Sequence, residues 1–171
     1  IGVIFLLSLV VIVGYLVYHA GRFHGITNVE ALDQAQIARN LAQGEGYTTK
    51  IIRPLSLAKV RRIDGHPELS QAPLHPFMVS LLMRVMPDKG RAAALSGGLA
   101  FLLTAPVIFF LGWQLFDIRT GVFATILYCT NVTLLRFSIS CLEVPWLTLL
   151  TALLFLVCFA LARKQRWRPL L

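Results

Sequence analysis

The chain has 171 residues, of which 57% are hydrophobic and 14% charged, with a net charge of +8. At a mean hydropathy of +0.72, this composition excludes an ordinary soluble domain. The positive balance suits anionic headgroups or a phosphate-bearing ligand, and nucleic acid is set aside because no basic and aromatic motif accompanies it.

Residues 1–20 (IGVIFLLSLVVIVGYLVYHA) carry no charge unless His19 is protonated. About 20 apolar residues cross the ~30 Å of bilayer hydrocarbon, so this is the first expected span. A cleaved signal peptide would have a shorter apolar run, a basic leader and a small-residue cleavage site. The chain begins at Ile1 rather than Met, which sets the expectation that residues precede it.

Thr27 or Asn28 then caps a helix running to about Gln43, and Gly44 and Gly46 end it. Ala31, Ala35, Ala38 and Ala42, with Leu32, Ile37 and Leu41, give it a narrow apolar side. The helix carries Asp33 directly after a membrane span, so the carboxylate is held against the membrane surface. Residues 48–70 are polar, contain Pro54 and Pro67 and read as irregular. An ordered irregular loop of this length is usually functional. Within it, Asp64-Gly65-His66-Pro67-Glu68 has metal-ligand residue types but reads as a turn. Pro73 and Pro76 open a short apolar helix over residues 74–86, interrupted by Arg84. Its length suits a helix lying in the interface better than a crossing.

Three long apolar segments follow, at residues 92–116, 121–142 and 145–162. Spans must be helical, because unpaired backbone groups cannot face lipid. Pro106 is expected to kink the first of the three, and Gly97-Gly98 offers a close-packing surface. The fold class expected is therefore all-α and polytopic. Four transmembrane helices, at about 1–20, 92–116, 121–142 and 145–162, accompany amphipathic interfacial helices in a large first loop, 21–91. The chain reads as a single membrane domain.

The basic tail Arg163-Lys164-Gln165-Arg166-Trp167-Arg168 is a cytoplasmic signal. Loop 21–91 is also basic, through Lys50, Arg53, Lys59, Arg61 and Arg62 among others. The positive-inside bias is reliable only for loops shorter than about 60 residues, so the tail decides. Both termini are then cytoplasmic, and loop 21–91 and Glu143 are extracytoplasmic. Cys129 and Cys158 lie in spans as packing residues, Cys141 sits alone near an interface, and no disulfide framework follows.

Several motifs occur in a fixed order along the chain. A Leu32-Asp33-Gln34-Ala35-Gln36-Ile37-Ala38-Arg39-Asn40-Leu41-Ala42-x-Gly44-x-Gly46-Tyr47 helix follows one span. Next come Pro73-Leu74-x-Pro76, an Arg91-Ala-Ala-Ala-Leu-Ser-Gly-Gly-Leu99 stretch, and the turn from Leu115 to Gly121. Glu143-x-Pro145 follows the third span. Taken together, this order resembles the N-terminal part of the GT-C membrane glycosyltransferases, above all the protein O-mannosyltransferases and the aminoarabinose transferases of lipid A. Members are much longer, so the resemblance implies the front part of a longer protein, in the bacterial inner membrane. It implies sugar transfer on the extracytoplasmic side from a polyprenyl-phosphate-linked sugar. Asp33 stands where the family has its active-site acid, and Glu143 matches a later acid. The family's second acid after the first is here Gln34, and Gln71-Ala72-Pro73 replaces the Lys-Pro-Pro of the aminoarabinose group. The cofactor is left open: a divalent cation is the candidate, weakly supported because Gln34 breaks the acid pair and no His-x-x-x-His or Cys-x-x-Cys set is present. The metal set expected is none.

Such transfer needs a base for the acceptor proton and cations for the leaving phosphate. Desolvation at a membrane boundary makes a carboxylate a stronger base, which suits Asp33, with Glu143 as the second catalytic candidate. Arg binds phosphate in bidentate fashion; Arg91 and Arg136 sit at span ends, and His75 opens the short helix. The alternative is a non-catalytic small subunit that packs against other membrane subunits of a larger complex. A transporter has less support, since no span is broken in a repeated pattern.

Overall fold

A computed structural model describes residues 2–51, 54 and 66–166. The expected cations Arg53, Lys59, Arg61 and Arg62, the acid Asp64 and the tail residues Trp167 and Arg168 lie outside the described residues. The described chain is all-helical, with seven helices and one pair of two-residue strands. In order these are α1 (Gly2–Arg22), α2 (Val29–Gln43), β1 (Thr48–Thr49), β2 (His66–Pro67), α3 (Leu74–Val85), α4 (Lys89–Leu115), α5 (Ile118–Thr130), α6 (Val132–Ile139) and α7 (Val144–Arg166).

The helix ends follow local chemistry. The Asn28 side chain accepts from the Glu30 backbone N–H at 2.9 Å and starts α2. Gly44, at φ 84°, ends it in the left-handed conformation that a side chain would resist. Asp88 caps α4 by accepting from Arg91 N–H at 3.0 Å, and Asp117 caps α5 by accepting from Thr120 N–H at 2.7 Å.

Among the described residues, two helices, Lys89–Leu115 and Val144–Arg163, are long and apolar enough to cross a membrane, and the α5–α6 pair makes a third if it counts as one span. These coincide with the three later predicted spans. The apolar run 121–142 reads as one continuous helix, and here the structure differs: α5 and α6 are bent by 57°. The cause is Asn131, whose side chain accepts from Thr133 and Leu134 N–H at 3.0 and 3.1 Å and so starts a new helix. The Thr130 hydroxyl donates back to the Ile126 carbonyl at 2.8 Å, a bond of the kind that bends helices. Pro106 lies inside α4, which continues through it. With 12 residues, α3 is only about 18 Å long, too short to cross.

The bundle is organised around α4. A Cβ on Gly97 would lie 2.6 Å from the Ser138 carbonyl oxygen of α6, and one on Gly98 would lie 2.0 Å from the Tyr15 hydroxyl of α1. Both positions must therefore lack a side chain, as the expected close-packing surface requires. Gly112 and Gly121 bring α4 and α5 together in the same way. Phe101 stacks between Tyr15 and Tyr128, at ring distances of 5.7 and 4.8 Å. The Trp146 indole N–H donates to the Ser96 hydroxyl at 3.1 Å and fixes α7. At the other end, Ala92, Ala93 and Ala94 pack with Ala31, Ala35, Ala38, Val79 and Met83, joining α2 and α3 to α4. Leu32, expected on the apolar side of α2, is half exposed. Large apolar side chains such as Val17, Leu127, Leu154 and Phe155 face outward, as lipid contact demands.

Gly97→Val should destabilise the fold by about 1–3 kcal/mol through overpacking. Gly14, where an added methyl group would meet nothing within 4 Å, should accept Ala without loss of folded protein. Thermal unfolding of the two variants in detergent checks this.

Candidate functional site

The site begins on the buried side of α2. Positions 31, 34, 35 and 38 share one helical stripe, and 33, 37 and 40 lie beside it. Both rows are buried, so Asp33, Gln34 and Asn40 go inside together with the alanines and Ile37. A buried carboxylate needs hydrogen bonds. Asp33 Oδ1 accepts from the Thr49 hydroxyl at 3.3 Å, and Oδ2 accepts from Gln71 Nε2 at 3.1 Å.

The partners of Asp33 are themselves held in place. Asn40 Nδ2 donates to the Thr48 carbonyl at 2.9 Å, tying β1 to α2. The strands β1 and β2 pair antiparallel, with Thr48 opposite Pro67 and Thr49 opposite His66. The Tyr47 hydroxyl donates to the Gln71 carbonyl at 3.0 Å. Residues 48–70 read as irregular in sequence; the two-residue bridge is too short for a periodicity to reveal it.

Glu143 reaches the same place from the far end of the sequence. Gln34 Nε2 donates to Glu143 Oε2 at 3.4 Å, across 109 residues. The turn that carries Glu143 contains Cys141 at φ 61°, a conformation that costs a non-glycine residue about 1–2 kcal/mol. The two predicted catalytic acids therefore meet at adjacent α2 residues, Asp33 directly and Glu143 through Gln34.

The predicted phosphate contacts are more dispersed. Arg91 is exposed and pairs with Asp88 at 3.3 Å. Arg136 is exposed on α6. His75 is buried on the first turn of α3, and neither ring nitrogen has a hydrogen-bond partner. Burial holds its imidazolium well below the usual range, at about 4, so it is neutral at pH 7. Among the described residues no group of three His, Cys, Asp or Glu side chains is placed to hold a metal ion.

Sequence reasoning missed Thr49, set His66 aside as part of a turn, and treated Gln34 and Gln71 only as departures from the family's pattern. The helical stripe through Ala31, Ala35 and Ala38 could have found Gln34. Separately, an open cavity of about 450 Å³ is lined by Arg39, Arg84 and Lys89. Two of these cations serve helix ends: Arg84 donates to the Leu41 carbonyl at 3.4 Å and Lys89 to the Met83 and Met86 carbonyls. Comparison with protein-family models, curated proteins and solved structures returns no match.

Because the folded-state pKa of His75 is depressed, the unfolded chain binds a proton more readily between pH 6.5 and 4. The His75 contribution to stability is complete above that window and is lost as pH falls through it. Between pH 6.5 and 5 the loss should approach about 2 kcal/mol. His75→Phe should therefore show a smaller drop in Tm than the parent protein between pH 7 and pH 5.

Proposed function

We propose that the chain is the front part of a GT-C-type membrane glycosyltransferase, using a polyprenyl-phosphate-linked sugar on the extracytoplasmic side. In this reading α1, α4, the α5–α6 pair and α7 are four crossings, and α2 and α3 lie at the membrane surface. The termini are cytoplasmic, in a bacterial inner membrane. One observation carries the proposal: Asp33 and Gln34, the hydrogen-bond partner of Glu143, are adjacent buried residues of α2. A buried acid held by hydrogen-bond donors is poor packing and good preparation for proton transfer.

Asp33 takes the proton of an acceptor hydroxyl as its oxygen bonds to the anomeric carbon of the sugar. The bond from that carbon to the phosphate oxygen breaks, and the electron pair leaves with the lipid phosphate. Thr49 and Gln71 fix the carboxylate, and Glu143 orients the cluster through Gln34. Arg91 and Arg136 supply charge for the leaving phosphate, and His75 a neutral donor.

Asp33→Asn should lower sugar transfer by about 10²–10⁴-fold without loss of folded protein, and Glu143→Gln should lower it less. Transfer in liposomes from a polyprenyl-phosphate sugar is the assay, and full activity in Asp33→Asn removes this acid from the mechanism. If no intact form of the protein transfers sugar, the non-catalytic subunit becomes the better reading.

Topology is tested separately. In a background without native cysteines, a cysteine at position 50 or 143 should react with an impermeant reagent from outside, and one at 166 should not. The opposite pattern overturns the arrangement.

A further inference from the structure

Four buried polar atoms around Asp33 lack hydrogen-bond partners. Gln71 gives its amide nitrogen to the Asp33 carboxylate, which can only accept, so its Oε1 must be the free end. Gln34 is oriented in the same way by Glu143, and its Oε1 is also unpartnered. His66 is 1% exposed, and both of its ring nitrogens are unpartnered.

His66 lies directly opposite Thr49 in the antiparallel pair. Residues opposite each other project from the same face of a two-stranded ribbon. Thr49 uses that face to reach Asp33, so the His66 ring lies on the side of the ribbon that faces the acid. A neutral imidazole carries one donor and one acceptor. A core position would favour an apolar residue of similar size over a ring buried with neither satisfied.

We infer that His66 is a substrate-contacting residue whose imidazole holds a hydroxyl of the bound ligand beside Asp33. A hydroxyl both donates and accepts, matching the ring, and further hydroxyls can donate to the Gln71 and Gln34 carbonyls. The ligand class is therefore a polyhydroxylated group bound through its hydroxyls. The inference deepens the glycosyltransferase reading and rests on it for the carrier of that group.

The test uses the full chain in nanodiscs with two probes, a methyl hexopyranoside and a hexose on a short-chain polyprenyl phosphate. The His66 imidazole nitrogens, identified by their loss in His66→Phe, should shift in the nitrogen-15 spectrum when the methyl hexoside is added. His66→Phe should weaken binding of the lipid-linked hexose by about tenfold or more, with Tm no lower than the parent. His66→Gln, which retains a donor and an acceptor, should restore affinity to within about threefold. A purely structural histidine would give the reverse: lower Tm in His66→Phe and unchanged affinity. Unchanged affinity in a folded His66→Phe, or a wild-type spectrum unmoved by either probe, overturns the inference. If the Phe variant does not fold, the His66→Gln affinity and the wild-type spectrum decide. A His66 shift in a protein that transfers no sugar keeps the hydroxyl site and removes the glycosyltransferase reading.

Discussion

The structure depends on one constraint: α4 must carry glycine where its neighbours approach most closely, at Gly97, Gly98 and Gly112. Gly97 meets a backbone carbonyl and Gly98 meets a tyrosine ring, with no room for a methyl group at either. Inside a bilayer no hydrophobic drive brings helices together, so association relies on close van der Waals contact and a few hydrogen bonds. The alanines at 92–94 extend the same logic beyond the long-helix bundle, where α2 and α3 pack. The element that holds the long helices together is thus also the base on which the polar cluster is assembled.

The cluster is built against the usual preferences of a protein interior. Asp33, Gln34 and His66 are buried, and Gln34 Oε1 and both His66 ring nitrogens have no partner. Each unsatisfied atom costs more than an apolar replacement would. Folding energy from the surrounding alanine and aliphatic packing must offset this. Such local conflict with packing rules is where function concentrates in proteins that are otherwise consistent.

Much of the fold is legible from composition and punctuation. The cap at Asn28, the stop at Gly44 and the extents of α3, α4 and α7 follow from apolar run lengths and from Asn, Gly and Pro placement. The break at Asn131 is not legible, because a capping side chain inside an apolar run leaves the run intact. The site is legible in part. Asp33 and Glu143 stand out as acids beside apolar segments, whereas their connection through Gln34 depends on tertiary contact across the bundle. His66 and Thr49 are hidden for a similar reason. A two-residue bridge has no periodicity, and only its register shows that the two share a face.

The contact between Gly97 and the Ser138 carbonyl has a mechanical meaning. Two backbones that meet without side chains between them have no rotamers with which to absorb a displacement. The end of α6 is thereby referenced to α4 like a point on a ruler, and Glu143 follows five residues later in a turn fixed by the unusual Cys141 backbone. The height of this acid is therefore set by main-chain geometry deep in the bundle, not by the side chains around it. A shift of α6 against α4 would be felt at Gln34, and so beside Asp33, without any hinge in between.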